Sequence, residues 1–322
     1  MAKKNKNNLY LIILIVLIGI YLLGKYVINI EKDSNFDMEI IKVDTSLISS
    51  INIINPKQEN TIEIYKDNDK WYVKQANNKS LADDATVNHM LKTIADFKIQ
   101  NVVGTNESKW EEYKLNDSLA TNVQFFNSQN QLIKDVYIGK FIYKQNDSPY
   151  QQQGRNNGVG LTYVRLAKAP ESFIIEGFLP MTFNRKFNDF RNQRILTVKK
   201  DQIDQVSFKY PGDSSFVLAR TDSMVFLINQ TDTADFRKVN SFLTSLSNLK
   251  EHQFDDNFIP SSSSPLFVLD LSGKEIKPLK INVYIKDEDN YIINSSQFPH
   301  TYFLSKRDRL NKKLLRSNQS FN

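Results

Sequence analysis

The sequence predicts an α+β fold, with an N-terminal transmembrane helix followed by two duplicated lobes, each made of antiparallel strands packed with a helix. Three observations predict it. Residues 9–24 carry no charge. "VNHMLKTIADFK" (87–98) and "VNSFLTSLSNLK" (239–250) place apolar residues at i, i+3, i+4, i+7 and i+10, one face of a 3.6-residue helix. Around these helices, short strand-like segments recur in the same order: "ISSINIINP" (48–56) with "IDQVSFKYP" (203–211), "VQFFNSQNQLI" (123–133) with "FVLDLSGKEIK" (267–277), "VYIGK" (136–140) with "VYIKD" (283–287), and "TYVRL" (162–166) with "TYFLS" (301–305). The offsets are 155 for the first pair, 152 for the helices, then 144, 147 and 139, drifting as changes in loop length would make them.

The chain opens with a cytoplasmic stretch, 1–8, and an anchor, 9–28. The apolar run is uncharged to Gly24 and reaches Ile28 if Lys25 snorkels, which meets the ~20 residues a spanning helix needs. It exceeds the ~7–15 apolar residues of a cleaved signal peptide, and no small-residue cleavage site follows it. Lys3, Lys4 and Lys6 precede the run, whereas Glu31 and Asp33 follow it, so residues 29–322 are expected outside the cytoplasmic membrane, in the periplasm of a bacterium. The formal net charge is +6; removing the three N-terminal lysines and Lys25 leaves +2. Residues 306–316, "KRDRLNKKLLR", contribute +5, so the body between is about −3, which gives no support to nucleic-acid binding. With no cysteine, disulfides, thiolate zinc sites and a lipidated N-terminal Cys are excluded.

A stalk, 29–47, leads into a first lobe at 48–169; a second follows at 197–316, ending in a tail, 317–322. Each lobe reads as three strands, a helix, then further strands. Alternation marks "INIIN", "TIEIYK" and "KWYVKQ", and "KDND" is the turn before the last of these. Asp83 or Asp84 can cap the first helix, and Asp235 the second.

Between the lobes lies a connector, 170–196. Phe183, Phe187 and Phe190 sit at i, i+4 and i+7, so a short helix would carry an aromatic stripe, with Arg185, Lys186, Arg191 and Arg194 on its other faces. Two readings follow: a basic-aromatic docking helix for a partner, or a connector whose rings pack between the lobes while its cations stay solvated. The polar loop "YQQQGRNNGVG" offers Tyr150, Gln151, Gln152, Gln153, Arg155 and Asn156 to a glycan or peptide; simple disorder is the alternative. Gly154, Gly158 and Gly160 do not complete a nucleotide-binding loop, since no final glycine or helix start follows.

Little in the chain points to catalysis. His89, His252 and His300 are far apart, and "EHQFDD" (251–256) lacks a second histidine at metal-ligand spacing. The pairs Glu111–Glu112 and Asp255–Asp256 are sequence neighbours that would diverge on a helix. Nucleophile-elbow, zincin and P-loop motifs are absent from the sequence. No enzyme, metal or cofactor is expected on these grounds.

The segments "KWYV", "ADDATVNHMLKTIADFK", "KWEEYKL", "VYIGK", "TYVRL", "FNDFRNQRIL" and "DQIDQVSF", taken in order over most of residues 45–310, resemble the family catalogued as domain of unknown function 4340. The resemblance implies membrane-anchored extracytoplasmic proteins associated with ABC transporters of the gliding-motility type, and it carries over no catalytic residue. One departure stands out: the family's Tyr-Gly-Leu is here Tyr113-Lys114-Leu115. The implied role is a non-catalytic accessory or interaction protein, with membrane-embedded transporter subunits as partners and the bilayer engaged through residues 9–28. The eight residues before the span cannot form a signalling domain, and one span without intramembrane charge offers no transport path of its own. A ligand-binding module using the 143–163 loop and the inter-lobe cleft is the second reading; an unrecognised hydrolase is the third.

Overall fold

A computed structural model describes residues 14, 16–18, 43–95, 97, 99–145, 158–221, 225–260 and 264–322. Met1–Lys42 and Val43–Asn322 form two separate compact units. In the first, Leu14 and residues 16–18 are helical and exposed; the rest of the expected anchor at 9–28 lies outside the described residues. Among the described residues, no helix is long and apolar enough to cross a membrane.

The second unit holds two nine-stranded antiparallel sheets. The first contains β1 (Ser50–Ile54), β2 (Ile62–Asp67), β3 (Lys70–Gln75), β4 (Asn78–Leu81), β5 (Ile99–Gly104), β6 (Thr121–Phe126), β7 (Leu132–Gln145), β8 (Gly158–Leu166) and β9 (Ser172–Glu176). The second contains β10 (Gln205–Lys209), β11 (Phe216–Arg220), β12 (Phe226–Ile228), β13 (Asp232–Thr233), β14 (Gln253–Phe254), β15 (Phe267–Gly273), β16 (Ile276–Ile285), β17 (Asn290–Ser295) and β18 (Phe298–Lys306). The helices of this unit are α1 (Asp84–Ala95), α2 (Leu179–Phe183), α3 (Phe187–Phe190), α4 (Phe236–Ser247) and α5 (Arg307–Lys313).

The strand order is β4-β3-β2-β1-β6-β7-β8-β9-β5 in one sheet and β13-β12-β11-β10-β15-β16-β17-β18-β14 in the other. The same permutation occurs twice, and this establishes the duplication more firmly than any sequence match. In each lobe the chain leaves one edge of the sheet, runs as a helix to the opposite edge, adds one strand there, and returns to the middle. α1 and α4 are each 12 residues long and bury matching faces: Val87, Met90 and Ile94 in one, Val239, Phe242, Leu243 and Leu246 in the other. Asp83 caps α1, accepting from the Thr86 N–H at 2.8 Å, and Asp235 caps α4, accepting from the Lys238 N–H at 3.0 Å. Strand alternation works as expected, with Ile51, Ile53, Ile62, Ile64, Trp71 and Val73 all facing the core.

The structure differs from the sequence reading in three respects. Four strands precede each helix, not three: β4 is four residues of "NKSL" and β13 only two, too short and polar to show alternation. The repeat also slips. Ile51 pairs with Phe125 and Val206 with Leu271, so β6 and β15 correspond at an offset of 146 instead of 144. Val136 and Ile281 then correspond at 145 instead of 147. Slips of two residues keep the inward face inward, which is why the pattern alone could not resolve them. As part of the same slippage, "TYVRL" lies in β8 and "TYFLS" in β18, whereas the counterpart of β8 is β17. Neighbouring half-buried strands carry the same kind of alternation, and the match jumped one strand.

The third difference is where each lobe ends. Phe173 and Ile175 of β9 are fully buried in the first lobe although residues 170–176 fall in the expected connector. Beyond the last strand, Leu179, Phe183 and Phe190 of the first lobe correspond to Leu310, Leu314 and Phe321 of the second at a constant offset of 131, and all six are at most 1% exposed. The Asp83 N–H donates to the Phe190 carbonyl at 2.9 Å, and the Asp235 N–H donates to the Phe321 carbonyl at 2.7 Å. Each helix cap is therefore tied to the closing phenylalanine of its own lobe. Residues 317–322, expected as a tail, belong to the second core, where the Phe321 ring meets Phe208, Phe216 and Phe242.

Part of the opposite face of each sheet is also covered. In the second lobe Phe258 packs on Tyr284 and Tyr302. In the first, residues from three of the segments that carry the family resemblance meet. The Arg165 guanidinium is sandwiched between Trp110 (3.9 Å) and Tyr137 (3.5 Å), donates to the Leu115 carbonyl at 2.7 Å and pairs with Asp117 at 2.7 Å. Burial pushes the Tyr137 hydroxyl pKa up. Tyr113 stacks on Tyr163, and a Cβ on Gly139 would come within 2.4 Å of the Tyr113 carbonyl oxygen, so only glycine admits this turn. At the crest of the turn Lys114 has φ +57°, the left-handed region where glycine is favoured.

Two predictions follow from this packing. Phe321→Ala should lower the stability of the second lobe by about 3–5 kcal/mol in denaturant unfolding, the usual cost of truncating a buried phenylalanine. Lys114→Gly should raise first-lobe stability by about 0.5–1 kcal/mol, the left-handed strain relieved less the entropy glycine adds to the unfolded chain; an unchanged or lower midpoint would count against a strained Lys114.

Candidate functional site at the strap between the lobes

A short helix carrying Phe183, Phe187 and Phe190 was expected. The chain instead forms two, α2 ending at Phe183 and α3 starting at Phe187, because Asn184 (ψ 64°) and Lys186 (ψ 159°) leave helical geometry between them. The three phenylalanines are buried all the same. Phe183 meets Phe125 edge-on, and Phe187 and Phe190 line the end of the first lobe. Arg185 is half-buried, with its guanidinium 6.0 Å from the Phe190 ring, and Lys186 is exposed.

From Arg191 to Ile195 the chain is an extended strap bonded to both lobes. On one side the Asn192 N–H donates to the Leu81 carbonyl, and Arg191 bridges Ala82. On the other the Ile195 N–H donates to the Leu249 carbonyl, the Glu251 N–H donates to the Gln193 carbonyl, and Arg194 bridges Lys250. Arg191, expected to be solvated, is 2% exposed. Its guanidinium makes a two-bond fork to Asp256 at 2.8 Å each, donates to Asn188 at 3.2 Å, and lies 3.7 Å over Phe254. Asp256 follows β14, so this side chain joins the strap to the far edge of the second sheet. Nearby, Glu251 is buried and accepts from the Ser305 hydroxyl at 2.8 Å.

Beside the strap lies an open groove of about 720 Å³, with Gln58, Glu59, Asn60, Gln75 and Asn78 from the first lobe, 186–189 from α3 and its cap, and His252 and Asp256 from the second lobe. Side-chain amides dominate it, each with donor and acceptor. Two are already anchored: Gln58 donates to the Arg185 carbonyl and Gln75 to the Asn60 carbonyl. The groove can hydrogen-bond a polar ligand. The acidic pair considered for a metal is otherwise engaged, Asp255 with Lys286 and Asp256 with Arg191. Among the described residues, no three His, Asp or Glu side chains are grouped to hold a metal ion.

Tyr150, Gln151, Gln152, Gln153, Arg155 and Asn156 lie outside the described residues. The strands that flank them, β7 and β8, are an antiparallel pair with a register shift between Ile138 and Phe141. Gly160 sits in β8 under Phe141 and Phe178, where a Cβ would come within 2.7 Å of the Phe178 ring. That glycine makes room for aromatic rings and has no phosphate-binding geometry.

Sequence reasoning missed the buried roles of Arg191 and Arg165. The available signal was an arginine within reach of aromatic residues on segments that also carry apolar stripes. The strap's electrostatics can be checked directly. Asp256→Ala should cost about 2–3 kcal/mol by stranding the Arg191 charge, somewhat below the 3–5 of a fully buried pair because Asp256 is 41% exposed. Urea unfolding of the variant reads the loss; a change under 0.5 kcal/mol would mean that water solvates Arg191 after all.

The family described as Domain of unknown function (DUF4340) matches residues 19–118 and 82–264. The chain belongs to that family. No curated protein and no solved structure matches the chain.

Proposed function

We propose, with membership of that family as the premise, that the chain is a non-catalytic, membrane-anchored extracytoplasmic accessory subunit of an ABC-type transport system, presenting its two lobes to the membrane-embedded subunits. The observation that carries this reading is the strap. Its buried arginine and its backbone hydrogen bonds fasten one lobe to the other. A pair of lobes fastened in this way can hold a partner in a fixed geometry, whereas an open-and-close binding cleft needs a hinge where the strap is pinned. The uncharged run at 9–24 supports anchoring, and the lysines before it support an N-terminus in the cytoplasm. Of the two neighbouring aspartates on the second-lobe side, Asp256 is spent on Arg191 and Asp255 on Lys286, which supports a structural use for that pair.

A second reading has an observation of its own. The amide-lined groove beside Lys186 and His252 suits a glycan or peptide, with the fixed lobes as its walls.

In-membrane cross-linking of the tagged full-length chain, followed by mass spectrometry, separates the two. Enrichment of an ABC permease or its extracytoplasmic partner is the expected result. Exchanging residues 9–28 for an unrelated spanning sequence should weaken that enrichment, and so should reversing the charge of Lys312 and Lys313 on α5. Deleting 306–322 would be a poor test, because Leu310, Leu314 and Phe321 are core residues. If permease recovery survived both changes intact, the accessory-subunit route through these segments would be wrong; a clean preparation with no partner would favour the groove.

A further inference from the structure

Because the two lobes share one topology, each position in one has a counterpart in the other, and differences between counterparts show where one copy has been put to separate use. The corner where α4 meets the β11–β12 hairpin is such a place. Several residues agree: Val87 with Val239, Asn88 with Asn240, Leu91 with Leu243, and Lys66, paired with Trp71, matches Arg220, paired with Phe226. Four differ. Phe226 replaces Trp71, Phe236 replaces Asp84 at the first residue of the helix, and Lys200 and Asp201 replace Thr45 and Ser46 in the short turn before β10.

These exchanges coincide with a cavity of about 280 Å³ in the second lobe, lined by Phe226, Val239 and Leu243 with Phe236 at its rim. Phe226 is buried, but Phe236 is 72% exposed, the most exposed of the large apolar residues described. A helix does not need phenylalanine at its first position, and the counterpart residue there is an aspartate.

Two cations border this apolar pocket. Lys200 Nζ donates to Asn240 Oδ1 at 2.8 Å, which leaves two of its three N–H groups for another acceptor. Arg220 donates to the Ile203 carbonyl at 3.0 Å and the Asp201 carbonyl at 3.3 Å, and its carboxylate neighbour Asp204 is 3.8 Å away. Its Nε is buried without a hydrogen-bond partner. Asp201 also lines the cavity, so the lining carries a net +1.

We infer that this corner of the second lobe is a binding site for a small organic acid, with the ring or short chain against Phe226, Val239 and Leu243 beneath Phe236, and the carboxylate at Lys200 and Arg220. The cavity lies just under the ~300 Å³ at which drug-sized pockets begin, so it takes a single ring or a short chain.

The duplication supplies the test variants. Phe226→Trp fills the pocket with the side chain that the first lobe carries at the same place. Phe236→Asp removes the rim and adds a repelling charge, again with the first lobe's residue. The probes are 3-phenylpropanoate and its uncharged analogue 3-phenylpropan-1-ol, titrated against the purified full-length chain by saturation-transfer NMR. Saturable binding of the acid is expected, with the alcohol weaker by about ten-fold or more, the loss when a charged partner goes unmatched. Each variant should weaken the acid by about ten-fold while its unfolding midpoint stays near wild type. If Phe226→Trp fails to fold, Phe236→Asp decides alone, since its side chain is exposed. The inference is overturned if the acid shows no saturable binding, if the alcohol binds equally well, or if Phe236→Asp leaves affinity unchanged.

Discussion

Two consecutive residues, Phe190 and Arg191, hold the arrangement together. Phe190 puts its ring into the first core and its carbonyl on the N–H of the α1 cap, completing the first lobe. Arg191 turns the other way and spends its charge on Asp256 of the second lobe. A peptide bond is planar and short, so two residues that serve opposite lobes leave almost no slack between them. The strap's backbone hydrogen bonds on both flanks continue the same constraint. This local chemistry ties the two lobes to each other through the strap.

That geometry changes how the basic and aromatic residues of the connector are understood. As a docking helix, Phe183, Phe187 and Phe190 would have been a surface and Arg191 a solvated cation. The structure makes all four interior. Desolvating an arginine is expensive unless its N–H groups are matched and its faces covered; here Asp256 and Asn188 take the two terminal nitrogens and Phe254 covers a face, while Nε is buried without a partner. Arg165 solves the same problem in the first lobe with Trp110, Tyr137 and the Leu115 carbonyl.

What was legible in the sequence followed from local periodicity. Both helices, their aspartate caps and the existence of a duplication could be read from apolar stripes and recurring segments, since a 3.6-residue stripe and a capping aspartate are properties of a dozen residues. The register of the repeat could not, because a two-residue slip preserves the facing of every side chain in β6 and β15. The closing segments were hidden for another reason. Leu179, Phe183 and Phe190 lie at i, i+4 and i+11, the spacing of one helical stripe, so periodicity hides the break at Asn184 and Lys186, and only the fold shows that Leu310, Leu314 and Phe321 repeat them. The candidate site suffered most, as the partners of Arg191 are 65 residues away at Asp256 and only three at Asn188. The loop at 150–156 gave the sequence its most conspicuous polar cluster, but the groove's amides are scattered over four separate segments, at Gln58 and Asn60, Gln75, Asn78 and Asn188, that only the fold brings together.

The position of β5 has a consequence for how the chain acquires its structure. Among the described residues it is an edge strand whose neighbour is β9, from Ile99 opposite Ile175 to Gly104 opposite Ser172, and the N–H of the α1 cap donates to the Phe190 carbonyl. As the polypeptide leaves the ribosome at roughly 5–20 residues per second, β5 waits several seconds for its neighbour to be synthesised. During that interval the half-built lobe exposes an unpaired edge and an uncovered core, and the second lobe then repeats the wait between β14 and β18. A chain that keeps strand edges open during synthesis gains from a chaperone that covers them as it emerges.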